Sequence, residues 1–340
     1  MRTTLVTGGA GFIGANLVRT LLAEQPDRAV VNLDRLTYAG HRSTLADVLD
    51  HPRHKLVVAD VADAAAVDAV LRGADFDQIY HLAAESHVDR SIADAAPFLH
   101  TNVQGTQVLL DAARRHGVAR VVHVSTDEVY GHLGDQDPPF TEDSPLRPRS
   151  PYAASKAAAD HLCHAAFVTH GVPVVITRCS NNLGPWQLPE KLIPRMVACV
   201  LDGQPLPVYG TGGNIRDWIA VDDHCRGLMA AMAAGRPGRV YNLGAACERT
   251  NLAVIDAVCA HLGRPDAPRA FVADRPGHDW RYALDARRAQ VELGWRPRRS
   301  FDAALAETIA WYAAHEAWWR PLLAHAARPV ARLAPDGADG

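Results

Sequence analysis

Tyr152 and Lys156 stand four residues apart in the run Ser150-Pro151-Tyr152-Ala-Ala-Ser-Lys156. Serine suits a helix N-cap and proline the first helical position. A helix starting there puts the phenol and the ammonium on one face. A nearby cation lowers a phenol's pKa, and the resulting base takes a hydroxyl proton while a hydride leaves the same carbon. Asp127 and Glu128 are adjacent in Ser125-Thr126-Asp127-Glu128-Val129-Tyr130-Gly131, at the end of an apolar, strand-like run. Two carboxyls held together there cannot both ionise cheaply, so their pKa values split into one acid and one base. Gly8, Gly11 and Gly14 are spaced G-x-x-G-x-x-G between a first strand and a first helix. That order of elements suits a turn that brings backbone N–H groups to a pyrophosphate. Asp34 ends the next strand, 20 residues beyond Gly14. A carboxylate there accepts from ribose hydroxyls and repels a 2′-phosphate, favouring NAD over NADP; Arg35 beside it is a mild counter-indication.

Each feature alone has a plainer explanation: a surface Tyr–Lys pair, a solvated acidic turn, an ordinary glycine turn. Their order along one chain favours chemistry, because the first half alternates strands with helices. The strands expected are 3–7, 29–33, 55–59, 78–82, 120–125 and 173–177; the helices include 11–23, 64–71, 101–116 and 151–170. Apolar strands with intervening helices indicate βαβ units and a parallel sheet covered on both faces. The fold class is therefore α/β, a doubly wound parallel sheet. In such sheets ligands bind at the carboxyl ends of the strands, where Thr126, Asp127 and Glu128 fall. After residue 178 Pro, Gly and Trp become frequent, and helices are expected at 222–234, 251–261 and 301–320. The expected organisation is a dinucleotide domain over 1–178 with a returning segment at about 217–246, and a smaller, irregular α/β substrate domain from 179–216 and 247–325. Residues 329–340 lack periodicity and read as a flexible tail.

The composition narrows the classes. At 340 residues and 48% apolar content the chain supports a sizeable core. A net charge of −3 with no basic patch argues against nucleic acid. No apolar run is long enough for a membrane span, and the N-terminus lacks the pattern of a secretory signal. Six cysteines without C-x-x-C spacing read as reduced thiols of a cytoplasmic protein, and no His/Glu spacing suggests a metal. Of 35 basic residues only Lys55, Lys156 and Lys191 are lysine. Arginine is a permanently charged fork, whereas lysine has a tunable pKa, so a lysine retained amid arginines is a candidate for chemistry.

The stretches TGGAGFIG (7–14), LDRLTYAG (33–40), HLAAESHVDRSI (81–92), STDEVYG (125–131), YAASK (152–156), TRCSNNLGPWQLPEKLIP (177–194), RDWIAVDDHC (216–225) and RPGHDWRYALD (275–285) carry a family resemblance. The chain resembles the extended short-chain dehydrogenase/reductases and, within them, the dTDP-glucose 4,6-dehydratases, over nearly its whole length. The resemblance implies a Rossmann-type fold, tightly held NAD and a dTDP-sugar substrate. It implies that Tyr152, assisted by Lys156 and Thr126, takes the sugar 4-OH proton during oxidation at C4. Glu128 then removes the C5 proton, Asp127 protonates the departing 6-OH, and hydride returns to C6. It places Gly8, Gly11, Phe12, Ile13, Gly14, Asp34, Arg35, Leu36, Thr37, Asp60, Val61, Leu82, Ala83, Ala84, Glu85, Thr101, Tyr152, Lys156 and Asn182 at the cofactor. It places Ser86, Thr126, Asn181, Lys191, Leu192, Pro207, Val208, Tyr209, Arg216, Asn251, Arg275, His278 and Tyr282 at the sugar nucleotide. Leu183, Trp186 and Trp280 depart from the usual family residues. The resemblance also implies a homodimer in which helices 101–116 and 151–170 pair with their copies in a four-helix contact. Sugar-nucleotide epimerases and decarboxylases share the glycine turn and the Tyr–Lys pair but typically lack the two carboxylates. A non-catalytic NAD-binding regulator would need none of the four groups.

Overall fold

The computed structural model describes residues 2–326; the proposed tail at 329–340 lies outside them. The strands are β1 (Arg2–Thr7), β2 (Arg28–Asp34), β3 (His54–Val58), β4 (Phe76–His81), β5 (Arg120–Thr126), β6 (Val174–Cys179), β7 (Asn181–Leu183), β8 (Leu206–Tyr209), β9 (Ile215–Ala220), β10 (Val240–Leu243), β11 (Glu248–Thr250) and β12 (Arg269–Val272). The helices are α1 (Phe12–Glu24), α2 (Ala64–Arg72), α3 (Val88–Ala93), α4 (Ala96–Phe98), α5 (Gly105–Arg115), α6 (Pro151–His170), α7 (Leu192–Leu201), α8 (Val221–Ala234), α9 (Asn251–His261), α10 (Arg287–Glu292), α11 (Phe301–Ala314) and α12 (Glu316–Ala326).

Seven strands form one sheet in the order β10-β6-β5-β4-β1-β2-β3, with every neighbouring pair parallel. This is the doubly wound arrangement expected. Successive strand residues face opposite sides, and here both sides are apolar. Leu5, Ile79, Val121 and Val174 pack beneath α2, α5 and α6. Their neighbours Val6, Tyr80, Val122 and Val175 pack beneath α1 and α8. The order reverses between β1 and β4, whose carboxyl ends open the crevice in which such folds bind ligands.

The second unit is built on β7, β9 and β11, with β8 and β12 as a two-stranded parallel ribbon. Its own core joins α7, α9 and α11 through Val197, Ile255, Leu305 and Tyr312. The chain leaves this unit at β9, covers the large sheet with α8 and completes it with β10.

Two helices differ from the periodic reading. The stretch expected as one helix over 301–320 is α11 and α12, broken at His315. His315 Nδ1 bonds the Trp311 carbonyl at 2.7 Å, and its ring stacks on Trp311. The stretch over 101–116 begins as a π turn, Leu99–Gln104, and becomes α-helical only from Gly105. The π turn aims Asn102 inward. Its amide accepts from Glu85 N at 2.9 Å and donates to Glu85 O at 3.0 Å and to Ser155 Oγ at 2.8 Å.

Candidate active site

The first turn positions phosphate-binding backbone. Gly8 adopts a left-handed φ of +74° and donates to Leu33 O. Gly9 N reaches Asn32 Oδ1 at 3.0 Å, and Ala10 N reaches Asp34 Oδ2 at 2.9 Å. A Cβ on Gly14 would stand 2.2 Å from Gly8 O and 2.7 Å from Gly9 Cα, both backbone atoms. No side chain caps α1, so its first N–H groups stay free for an anion. That cradle fits a dinucleotide's pyrophosphate. Gly14→Ala therefore forces the turn apart. We expect a stability loss of about 1–3 kcal/mol, as for overpacking, and NAD binding weakened at least about tenfold; thermal melting and calorimetric titration check both.

A cavity of about 310 Å³ runs from this turn across the strand ends to β7 and Lys191. Its lining contains Gly8, Gly11, Phe12, Ile13, Gly14, Asp34, Arg35, Thr37, Asp60, Val61, Leu82, Ala83, Ala84, Glu85, Thr101, Tyr152, Lys156 and Asn182. It also contains Ser86, Thr126, Asp127, Glu128, Asn181 and Lys191. Asp34 is buried, and its other oxygen accepts from Leu36 N at 2.8 Å. Much of its hydrogen-bonding capacity thus shapes the loop, and burial pushes its pKa up.

Other expected residues lie elsewhere. Leu36 takes a left-handed φ of +57° and packs on the core of the large sheet. Val208 and Leu192 pack in or against the core of the second unit, because alternate residues of β8 and the first turn of α7 must face inward. Pro207 and Tyr209 flank Val208 on β8, and Asn251 opens α9; none of these lines the cavity. His278 is paired with Asp274 at 2.6 Å. Arg216, Arg275 and Tyr282 do not line the cavity, yet their charges and dipoles reach Glu128. Arg216 lies over the Tyr282 ring at 4.4 Å and donates to Asp279 O at 3.0 Å. The Tyr282 hydroxyl donates to Asp279 Oδ2.

The pattern of residues did not single out Val124, Ser125, Cys179, Ser180, Gln187 and Leu188, which also line the cavity. The carboxyl-end rule could have found the first four, since they end or follow β5 and β6. Gln187 and Leu188 follow Trp186, which is left-handed with φ +70°. Trp186 is held between Trp311, Trp318 and the guanidinium of Arg19. Spacing along the chain carries no trace of that.

Of the groups expected to react, Thr126, Asp127, Tyr152 and Lys156 are buried and Glu128 is half-buried. Tyr152 and Lys156 project from α6, whose N-cap Ser150 accepts from Ala153 N at 3.1 Å. Asp127 and Glu128 lie on a 3-10 turn continuing β5, and the Thr126 hydroxyl donates to Asp127 Oδ1 at 3.2 Å. Burial drives Asp127 well above the usual carboxyl range, and the neighbouring Glu128 and Asp217 add to the rise. Glu128 is also raised by burial, but Arg275, Arg216 and Lys191 oppose the rise. The surroundings thus favour a proton on Asp127 more than on Glu128.

One expectation is corrected. Tyr152 is pushed up by burial and then by the charges of Glu128, Cys179 and Asp127, and Thr126 lowers it by a hydrogen bond. Lys156 spends its short bond on the Val124 carbonyl at 2.8 Å, so it does not by itself bring the phenol down. All six cysteines are free, and no cluster of metal-binding side chains occurs among the described residues.

Comparison with known proteins follows the same lines. The family model described as GDP-mannose 4,6 dehydratase matches residues 5–308. A dTDP-glucose 4,6-dehydratase of Streptomyces griseus is 51% identical over 96% of this chain and 98% of its own length. One from Neisseria meningitidis is 47% identical over 95% and 96%. The structure of DesIV, a dTDP-glucose 4,6-dehydratase of Streptomyces venezuelae solved with NAD bound, superimposes with a TM-score of 0.91 at 52% identity, covering 95% of this chain and 100% of that one. The UDP-glucose 4-epimerase of Thermotoga maritima shares the fold at a TM-score of 0.85 and 26% identity, over 92% and 99% of the two chains. The chain belongs to the nucleotide-sugar 4,6-dehydratase family.

Proposed function

We propose that this chain is a dTDP-glucose 4,6-dehydratase, an NAD-dependent hydro-lyase that yields dTDP-4-keto-6-deoxyglucose and water. One observation carries the reading: a proton-transfer pair and an electrostatically split carboxyl pair share a single buried cavity with a dinucleotide turn. A plain oxidoreductase or epimerase needs only the first and last of these. The residues lining the turn, with Asp34 and Asp60, would hold NAD, which supplies a hydride acceptor and donor when bound.

The chain's own groups account for the proton steps. Tyr152 takes the 4-hydroxyl proton, with Thr126 beside it. A ketone at C4 acidifies C5, and Glu128 removes that proton. Asp127 gives its proton to the 6-oxygen, which leaves as water. Reduction at C6 with reprotonation at C5 completes the change. Burial keeps competing water from the unsaturated intermediate.

Incubation with dTDP-glucose should lower its mass by one water, with no net gain of reduced cofactor. Formation of dTDP-galactose at unchanged mass would replace this reading with an epimerase.

The pH dependence follows from the carboxyl pair. Elimination needs Glu128 ionised and Asp127 protonated. Its rate should rise as Glu128 loses its proton, above the ordinary glutamate range, and fall once Asp127 ionises. Arg275→Gln removes a cation that favours ionised Glu128. The acidic limb of kcat should then move up by about one pH unit, which stopped-flow pH profiles check.

The π turn with α5, and α6, lie side by side, and Leu99 and Val168 are 55% and 67% exposed along them. Both support pairing with a second copy in a four-helix contact. Sedimentation at micromolar concentration should show a dimer, and Leu99→Glu with Val168→Glu should give monomers. No described helix is long and apolar enough to span a membrane. The free thiols fit a cytoplasmic site of action, where deoxysugar synthesis for natural products or rhamnose would draw on the product.

A further inference from the structure

A second buried polar cluster lies beneath the reacting groups, and the proton steps above do not use it. Asp160 is 2% exposed, Arg178 5% and His123 1%. Asp160 Oδ2 accepts from Arg178 Nε at 2.9 Å. Arg178 also donates to the Tyr130 hydroxyl at 2.8 Å, which donates to Asn242 Oδ1 at 2.8 Å. Asp160 Oδ1 lies 3.5 Å from His123 Nε2, at the limit of hydrogen-bond reach. Tyr152, Lys156 and Asp160 follow one another at four-residue steps on α6, so they share one face of the helix.

We propose that Asp160 is a positioning residue for Lys156: clamped by Arg178, its carboxylate supplies the counter-charge that holds the ammonium behind Tyr152. This rests on the reading of Tyr152 and Lys156 as the proton-transfer pair. The only hydrogen bond Lys156 makes among the described residues is to a neutral carbonyl, Val124 O. Several titratable groups face the ammonium. On its own helix these are Tyr152, Asp160 and Cys163; β4 contributes His81, β5 His123 and β6 Cys179. Burial keeps both thiols protonated and raises the pKa of the phenol. His81 is pushed well below its usual value and His123 to about 4, so both are neutral. Asp160 is held ionised by His123 and Arg178 despite its burial. It is the only carboxylate among these groups, and it opposes the downward push of burial on Lys156. Arginine does not give up its proton. If the carboxylate is lost, Lys156 is the cation that discharges.

The three lysines make a direct test practical. In protein carrying 13C at lysine Cε, the Lys156 resonance is assigned by substitution and titrated in wild type and variant. Asp160→Asn alone leaves the buried Arg178 without its counter-charge, which destabilises the fold. The decisive variant is Asp160→Asn with Arg178→Met, which removes the ion pair as a unit. The Lys156 midpoint should fall by about one pH unit or more, while Lys55 and Lys191 stay put. The alkaline limb of single-turnover C4 oxidation should move with it. A folded double variant with an unmoved Lys156 midpoint would leave Asp160 a structural clamp and overturn the proposal. Failure of the wild type to oxidise dTDP-glucose would instead overturn the functional reading, and the titration would still decide the role of Asp160.

Discussion

Asp127→Asn should turn a catalytic cycle into a half-reaction. Asparagine keeps an oxygen for the Thr126 hydroxyl, which now bonds Asp127 Oδ1 at 3.2 Å. The other oxygen, Oδ2, is buried without a partner, so an amide nitrogen placed there displaces no existing bond. Folding should change little. The amide donates a hydrogen bond but transfers no proton, so the 6-oxygen leaves poorly. That loss acts on elimination and not on the 4-hydroxyl proton. Dehydration should slow by about 10²- to 10⁴-fold, the usual contribution of a positioned acid. Absorbance of reduced cofactor, transient in the wild type, should persist at one per site. Dehydration at the wild-type rate would remove Asp127 from the mechanism.

Tyr152→Phe should stop the reaction one step earlier. The ring meets Phe98 edge-on at 6.3 Å, a contact phenylalanine retains, so stability should be nearly unchanged. The lost hydroxyl is the acceptor for the first proton. Oxidation at C4 should fall by about 10²- to 10⁴-fold, and no reduced cofactor should appear on mixing. The two variants thus differ in kind: one accumulates the reduced state and the other never reaches it. If Tyr152→Phe accumulated reduced cofactor at the wild-type rate, another base would be acting.

These expectations were legible in the chain for a physical reason. A strand buried on both faces leaves a short, largely apolar run, and all six early strands fall within two residues of where such runs predict. The Tyr–Lys pair and the glycine turn are local, each placed by a single helix terminus. Asp127 and Glu128 are likewise local, and their adjacency alone implied a split. The direction of the split was not local. It depends on Arg275 and Arg216, which follow Glu128 by far in sequence and reach it only through the second unit. Asp160 stayed silent for a similar reason: on α6 it reads as one polar residue among many until β6 brings Arg178 against it. Leu36 and Val208 misled because an apolar residue in a ligand-bearing segment faces either the cavity or the core, and only packing decides.

The π turn at Leu99–Gln104 has a consequence for how this chain tolerates length changes. Ahead of Gly105 the helix presents Thr101 to the cavity and Asn102 to Glu85; beyond it the same helix presents Leu109, Leu110 and Ala113 to the sheet. The wider turn is a phase adjuster between those two duties. Deleting one residue there would leave a regular helix, and a pattern of hydropathy would look undisturbed. Yet each residue of an α-helix advances by about 100°, so one duty would be served and the other rotated away. Homologous helices of equal length can thus be compared residue by residue here, whereas a one-residue gap marks a rebuilt cavity wall.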